Sequence, residues 1–470
     1  MNPIRNLLKY SSITTTNIIV ALIFFLITAK ISTPSFFGEV AILQLLEVIT
    51  YSAFYLIPAQ IITREISYLY AKGKIDRSYL EKITFFPFLV LPLFLFLILF
   101  PNYVRFFIPY LFFYLLGNVF AAILIGMDMF TENSISANIF LIIRWILSII
   151  AVITHNIYLF LGIWITGSII SATLSYIFIT RRTGLFFPKP DLPFIWKQFR
   201  GGLTLYFSNL SNFFSSQGDR LITAYLLGSY YLGIYQFEAL VANVPAMVLG
   251  AINNVLLPSA SFYRALGKDE KKMASLSFRL ISLISLSATV LFIPISILII
   301  QRFFPGYKVG LEAMVLLTVA STLSFPFISL TNMIIAFRKD LRPFLFYAIL
   351  SMLTVIITSF ILIPKLGIIG GAISQILVST ISSLYMMVYS IRTSTFVPKG
   401  KEIFMILIVS FTGAYEVLID SFPFNLIPIL IVLLLIKIFK IIERNDIRII
   451  ETFLPIKLRP IIYLLRFISS

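Results

Sequence analysis

A chain of 470 residues that is 59% hydrophobic and only 12% charged lies far outside the about 45 to 50% apolar content of a soluble domain. This composition makes it a polytopic membrane protein and leaves no sizeable soluble domain. The absence of cysteine excludes disulfides, thiolate metal sites and cysteine nucleophiles, and a lone histidine, His155, argues against a His-based metal site or catalytic triad.

The first residues, MNPIRNLLKYSSITTTN, lack a short apolar core followed by a small-residue cleavage site, so the first apolar block reads as a retained helix. Blocks of about 20 apolar residues, each able to cross about 30 Å of hydrocarbon, then recur along the chain. They predict fourteen transmembrane helices over 11–31, 38–60, 83–101, 106–127, 134–153, 157–180, 201–227, 230–257, 279–301, 310–336, 343–363, 368–390, 402–420 and 423–441.

The net charge of +17 is explained by placement. Loops after even-numbered segments carry Arg64, Lys72, Lys74, Arg77 and Lys82, then Arg181, Arg182, Lys189, Lys197 and Arg200. Later ones carry Arg264, Lys268, Lys271, Lys272 and Arg279, then Arg338, Lys339 and Arg342, and finally Arg392, Lys399 and Lys401. Loops after odd-numbered segments hold far fewer: Lys30, Arg105, Arg302, Lys308 and Lys365. The positive-inside rule therefore predicts both termini in the cytoplasm of a cell membrane. Scattered over loops in this way, the basic residues do not form a nucleic-acid surface. The last stretch, 442–470, mixes Arg444, Arg448, Lys457, Arg459 and Arg466 with apolar residues and reads as a basic interfacial tail.

The chain also repeats itself. AKISTPSFFGEVAILQLL from Ala29 aligns with AYLLGSYYLGIYQFEALV from Ala224 at an offset of 195, which matches Gly38 to Gly233 and Asn17 to Asn212. LIPAQIITR aligns with LLPSASFYR, matching Pro58 to Pro258 and Arg64 to Arg264. The expected organisation is a six-helix lobe over 1–182, a cytoplasmic linker over 183–200, a second six-helix lobe over 201–392, and an appended helix pair over 402–441. An offset spanning an even number of helices preserves orientation, so the halves are parallel repeats about a central cleft, a transporter plan.

Charges inside such segments normally face a cavity or a partner. Glu47 and Arg144 fall near the middle of their segments, at similar depth, while Asp219, Arg220 and Glu238 flank the turn at Gly228. Folding the two helices about Gly228 brings Arg220 level with residue 237, so Arg220 and Glu238 are expected either to pair or to leave one charge facing the cleft. SSITTTN and SNLSNFFSSQ place Asn17, Asn212 and Ser216 on equivalent helices. These groups either hydrogen-bond across helices or line a polar cleft suited to sugar hydroxyls. Pro58, Pro245, Pro258, Pro294 and Pro326 are expected to bend helices.

Asp219-Arg220, the LLG at 226–228, Gly233, Tyr235 and Pro258 form an ordered set that resembles the polysaccharide-transport family, the Wzx-type flippases of the MOP superfamily. LTNMIIAFRKDLRPFLFYAILSMLTVIITSFILIPKLGIIGGAIS, at 330–374, resembles it too. The resemblance implies an all-α membrane protein of fourteen helices. It implies a flippase for an isoprenoid phosphate- or pyrophosphate-linked oligosaccharide, with Arg220 and Arg144 gripping the phosphate and Lys30 and Arg64 at the mouth or gate. Positions 13–29 hold no arginine, a departure from the lipid II flippases of the superfamily that weighs against lipid II as cargo. The resemblance names as partners the lipid-linked oligosaccharide, membrane lipids and glycan-assembly enzymes, with no metal or cofactor beyond coupling to a proton or sodium.

The alternative within the superfamily is a MATE-type exporter, in which Glu47, Asp219 and Glu238 would bind the coupling proton or cation. A membrane glycosyltransferase or polymerase would need an acid, base or metal site in a sizeable loop, and the loops are short. No GxxxxGK[ST] loop for ATP is present.

Overall fold

The structure is a computed structural model that describes residues 19–73, 77–247, 270–338, 342–393, 396, 400–418 and 427–438. Asn17, Pro258, Arg264 and the 442–470 tail lie outside these residues. Among the described residues the chain is helical, without strands, and nine helices are long and apolar enough to span a membrane. The protein is thus an integral multi-pass membrane protein. The count of fourteen is an expectation that the nine described spans do not reach.

The chain divides into two compact units, residues 1–217 with 227–233, and residues 218–226 with 234–470. In the first unit, α1 (Ile19–Ile31) leads to α2 (Pro34–Ile49), which Thr33 caps by accepting from the Phe36 N–H. The second segment does not run on to residue 60 as expected. A π-helical turn, Thr50–Phe54, ends it, and α3 (Ala59–Ala71) starts afresh. Pro58 is the physical reason: it disfavours a helical conformation at the residue before it and supplies no N–H.

After α4 (Arg77–Ile83) and α5 (Phe86–Val90), residues Leu91–Leu99 wind as a 3₁₀ helix, with Pro92 near its start. Then come α6 (Asn102–Arg105), α7 (Ile108–Gly126) and α8 (Phe130–Leu141). A second π turn, Ile142–Leu147, leads into α9 (Ser148–Ile153) and α10 (Ile157–Thr183). α7 and α10 pack closely where Gly117 faces Ala172.

The expected linker over 183–200 is extended only to residue 191, because α11 (Leu192–Ala242) begins at once. Asp191 starts it by accepting from the Phe194 N–H at 2.9 Å. The extended stretch is strapped to α4. Lys189 bonds Glu81 through its backbone N–H and its ammonium, both at 2.8 Å, and Lys82 pairs with Asp191 at 2.9 Å. Phe186 is buried beneath the strap and its carbonyl accepts from Tyr176 Oη. The Phe194 N–H, followed by Lys82, holds the Asp191 carboxyl below the usual carboxylate range.

α11 is interrupted at Gly228, whose φ of 78° suits glycine. Residues 227–233 belong to the first unit, and there Gly38 of α2 and Gly233 of α11 meet backbone to backbone. A Cβ on Gly38 would strike the Ser229 carbonyl, and one on Gly233 the Pro34 carbonyl. Pro34 and Ser229 stand at the same offset of 195 as the two glycines, so the contact is reciprocal, as about a local two-fold axis.

The second unit comprises α12 (Glu270–Phe303), α13 (Leu311–Arg338), α14 (Arg342–Leu366), α15 (Ile368–Arg392), α16 (Gly400–Leu418) and α17 (Ile427–Ile438), with two stretches of α11. α13 packs among α12, α15 and α16, and α14 lies along α15. Pro294 and Pro326 lie within α12 and α13. Hydroxyls tie this unit together: Ser285 donates to the Thr322 carbonyl, Thr289 Oγ1 to Thr322 Oγ1 at 2.8 Å, and Ser351 and Ser382 share a bond of 2.6 Å.

Candidate functional site

Within the first unit the mid-segment charges meet. Arg144 Nη1 donates to Glu47 Oε1 at 2.8 Å and Nη2 to Oε2, a fork-on-fork pair with both side chains buried. Each partner adjoins a π turn: Glu47 lies just before Thr50–Phe54, and Arg144 within Ile142–Leu147. Such turns are frequent at functional sites. Two indoles clamp the guanidinium, with Trp145 and Trp164 at 4.3 and 4.2 Å from their ring centroids, and Phe140 lies at 5.5 Å. Trp164 also donates its indole N–H to the Arg144 carbonyl at 3.1 Å, which fixes the turn.

Beside this pair a cleft that is mostly apolar, edged by amides and hydroxyls, extends along three helices of the same unit. α7 contributes Tyr114, Gly117, Asn118 and Ala121, α8 contributes Asn133, Ser136, Ala137 and Phe140, and α10 contributes Ser168, Ser171 and Ser175. The spacings of three and four residues put each set on one helical face. Its floor is a serine ladder, in which Ser136 Oγ bonds Ser171 Oγ at 3.0 Å and Ser175 Oγ at 2.8 Å. Sequence reasoning overlooked this seam, although 168, 171 and 175, like 133, 136, 140 and 144, could have been read as stripes.

The second unit arranges its charges differently. Asp219 is buried and accepts from Tyr235 Oη at 2.5 Å, with Gln375 beside it. Gly371 of α15 leaves room for the Tyr235 ring, whose atoms would lie 3.1 Å from a Cβ there. Glu238 is fully buried, packs against Gly310, and neither of its oxygens has a hydrogen-bond partner among the described residues.

Of the two arrangements expected of Arg220 and Glu238, the ion pair is not formed, and the physical reason is register. With Asp219 opposite Tyr235, Arg220 stands level with residue 234, and Glu238 lies about one helical turn, roughly 6 Å, farther along. Glu416 of α16, which the sequence reading did not single out, is also buried without a hydrogen bond among the described residues.

The remaining candidates are dispersed. Asn212 and Ser216 lie on an exposed face of α11, where Ser216 bonds the Asn212 carbonyl at 2.7 Å. Lys30 is exposed at the end of α1, and Arg64 is exposed on α3 and paired with Glu65 at 2.8 Å. No cluster of metal-ligating residues occurs among the described residues.

Residues 118–306 match the family model described as polysaccharide biosynthesis protein. The structure is similar to the lipid II flippase MurJ in an inward closed conformation, with a TM-score of 0.63 and 17% identity over 92% of this chain and 97% of that one. It is also similar to an inward-facing multidrug resistance MATE family transporter of the MOP superfamily, with a TM-score of 0.59 and 12% identity over 84% of this chain and 96% of that one. No curated protein matches the sequence. The chain is thus a polytopic membrane protein in which residues 118–306 match a polysaccharide biosynthesis family, built on the fold that a lipid II flippase and a MATE transporter share.

Proposed function

We propose that the protein flips a polyprenyl phosphate- or pyrophosphate-linked oligosaccharide from the cytoplasmic to the outer leaflet of the cell membrane, by alternating access, for assembly of a surface polysaccharide. The observation that carries this reading is the match of residues 118–306 to the polysaccharide biosynthesis family on a fold shared with a lipid-linked-precursor flippase. The similar solved structures are of a flippase and a transporter, which supports transport rather than catalysis.

Both termini face the cytoplasm in this reading, following the loop charges. With the cytoplasm negative, outward movement of an anionic headgroup is favoured by about 2.3 kcal/mol per charge per 100 mV if the whole field is crossed. Arg144 is neutralised by Glu47, so it can hold phosphate only if Glu47 releases it. Arg220, which is partly exposed, takes the phosphate-gripping role. Lys30 and Arg64 serve the mouths, and Asn17, Asn212 and Ser216 the sugar path.

The test places the purified chain in liposomes carrying a fluorescent polyprenyl-pyrophosphate oligosaccharide, and follows exposure of the label to a membrane-impermeant quencher. Protein-dependent exposure, reduced severalfold by Arg220→Ala in a protein of unchanged thermal stability, supports the reading. Wild-type exposure from that variant removes Arg220 from it.

A cation-coupled exporter of the MATE type is the second reading, favoured by the MATE-like fold and by the buried carboxylates Glu238 and Glu416, which lack hydrogen bonds among the described residues. Proton or sodium coupling through Asp219 or Glu238 belongs to that reading.

A further inference from the structure

The cleft among α7, α8 and α10 holds about 120 Å³ and is open on one side. That is less than the about 150 Å³ of an apolar cavity that holds benzene, so the cleft takes one edge or face of a ring-sized molecule while the rest lies in its opening. Its walls combine two chemistries. Phe113, Tyr114 and Phe140 present rings, and Asn118 and Asn133 present amides.

Asn118 donates to the Tyr114 carbonyl at 2.8 Å, which leaves its amide oxygen free to accept. Asn133 is only 9% exposed, and its side chain makes no hydrogen bond to any described residue. An amide with two donors and an acceptor that borders a cleft and bonds no described residue is free to meet a ligand that supplies both kinds of group.

The lining also says what the ligand is not. No charged side chain lines the cleft. The neighbouring guanidinium of Arg144, beyond Phe140, is already forked onto Glu47 and clamped by two indoles. A phosphate would find no counter-charge and a cationic drug no carboxylate, so burying either there is costly. An uncharged ring with hydroxyls on its edge and C–H groups on its face meets both walls, its edge at the amides and serine ladder and its face on the aromatic rings.

We propose that this cleft is a binding subsite for one uncharged sugar ring of the glycan, contributed by the first unit alone, with Asn133 as its principal hydrogen-bonding group. The inference rests on the flippase reading for its biological meaning but not for its test. Hexose hydroxyls donate to the Asn118 and Asn133 oxygens and accept from the Asn133 amide, and the sugar phosphate binds elsewhere.

The experiment uses the full chain in nanodiscs free of glycoside detergents, with methyl glucoside, methyl galactoside and methyl glucuronide as probes in saturation-transfer NMR. The expected result is transfer to the ring protons of at least one neutral glycoside and at least tenfold weaker binding of the glucuronide. Asn133→Leu weakens the neutral sugar about tenfold, Asn133→Ser weakens it less, and Ala137→Trp, which fills the cleft, abolishes it. Equal binding of neutral and charged sugars, indifference to folded Asn133→Leu and Asn133→Ser variants, or no transfer from either neutral sugar would overturn the proposal, the last leaving a cleft that holds only water. Failure of the flippase reading appears separately, as sugar binding intact in a wild-type protein that exposes no lipid-linked glycan.

Discussion

Two buried acids show how differently the two units handle charge. Glu47, in the first, meets a guanidinium in a two-pronged bond between aromatic rings. Glu238, in the second, is as deeply buried and lies against a glycine with no hydrogen bond from any described residue. The first carboxyl completes a neutral pair, and its partner depends on it. The second has no such dependent. The lesson is that depth in the bundle says little about what an acid does until its partner is known.

The largest effects should come from breaking what is closed. Gly233→Leu forces side-chain atoms into the backbone of α2, so it should displace that crossing and abolish transport, read as lost exposure of a lipid-linked glycan in liposomes; wild-type flux would show that the close approach is dispensable. Arg144→Ala strands a buried carboxylate and should cost about 3 to 5 kcal/mol, seen as a fall in unfolding temperature. The double variant Glu47→Leu with Arg144→Met should recover most of that loss, because a well-packed apolar pair can replace a buried ion pair. No recovery would mean that the pair does more than neutralise itself.

The comparison sharpens with Glu47→Gln and Glu238→Gln. The first leaves an unmatched guanidinium and should be destabilising, whereas the second removes a group that no described donor stabilises and should be near neutral in the same unfolding assay. Equal effects would erase the contrast. Tyr235→Phe, which takes one donor from Asp219, should cost about 1 to 3 kcal/mol.

The smallest effect lies in the strap. The Asp191 carboxyl is depressed on folding, so its contribution is fully present above the unfolded value of about 3.9 and is lost as pH falls through the lower folded value. Protection of the 184–191 amides from hydrogen exchange should therefore weaken below about pH 4. Asp191→Asn should weaken it at neutral pH and flatten the dependence.

Much of this was legible in the sequence, and the misses have physical causes. Helical spans follow from runs of apolar residues long enough to cross lipid as helices, whereas the Gly38 to Gly233 alignment paired equivalent positions of a repeat and did not foresee that the two residues meet. The pairing of Glu47 with Arg144 was hinted at by equal depth, but depth does not fix rotation about a helix axis. The choice between a paired and an unpaired Arg220 and Glu238 stayed open because it turns on register, about one turn, which a turn at glycine leaves free. The Asn133 cleft was missed because serine and asparagine in lipid more often join helices than bind ligands, and only side-chain geometry separates an amide with a partner from one without.

A lipid-linked glycan and a cationic small molecule are cargoes that one preparation can tell apart. The most direct measurement compares two cargoes in the same vesicles: leaflet exposure of a fluorescent polyprenyl-pyrophosphate oligosaccharide, and uptake of a cationic dye driven by a proton or sodium gradient. A glycan flippase gives protein-dependent exposure of the glycan, faster when the potential draws the anion across, with no dye uptake. Gradient-driven dye uptake without glycan exposure would contradict the flippase reading.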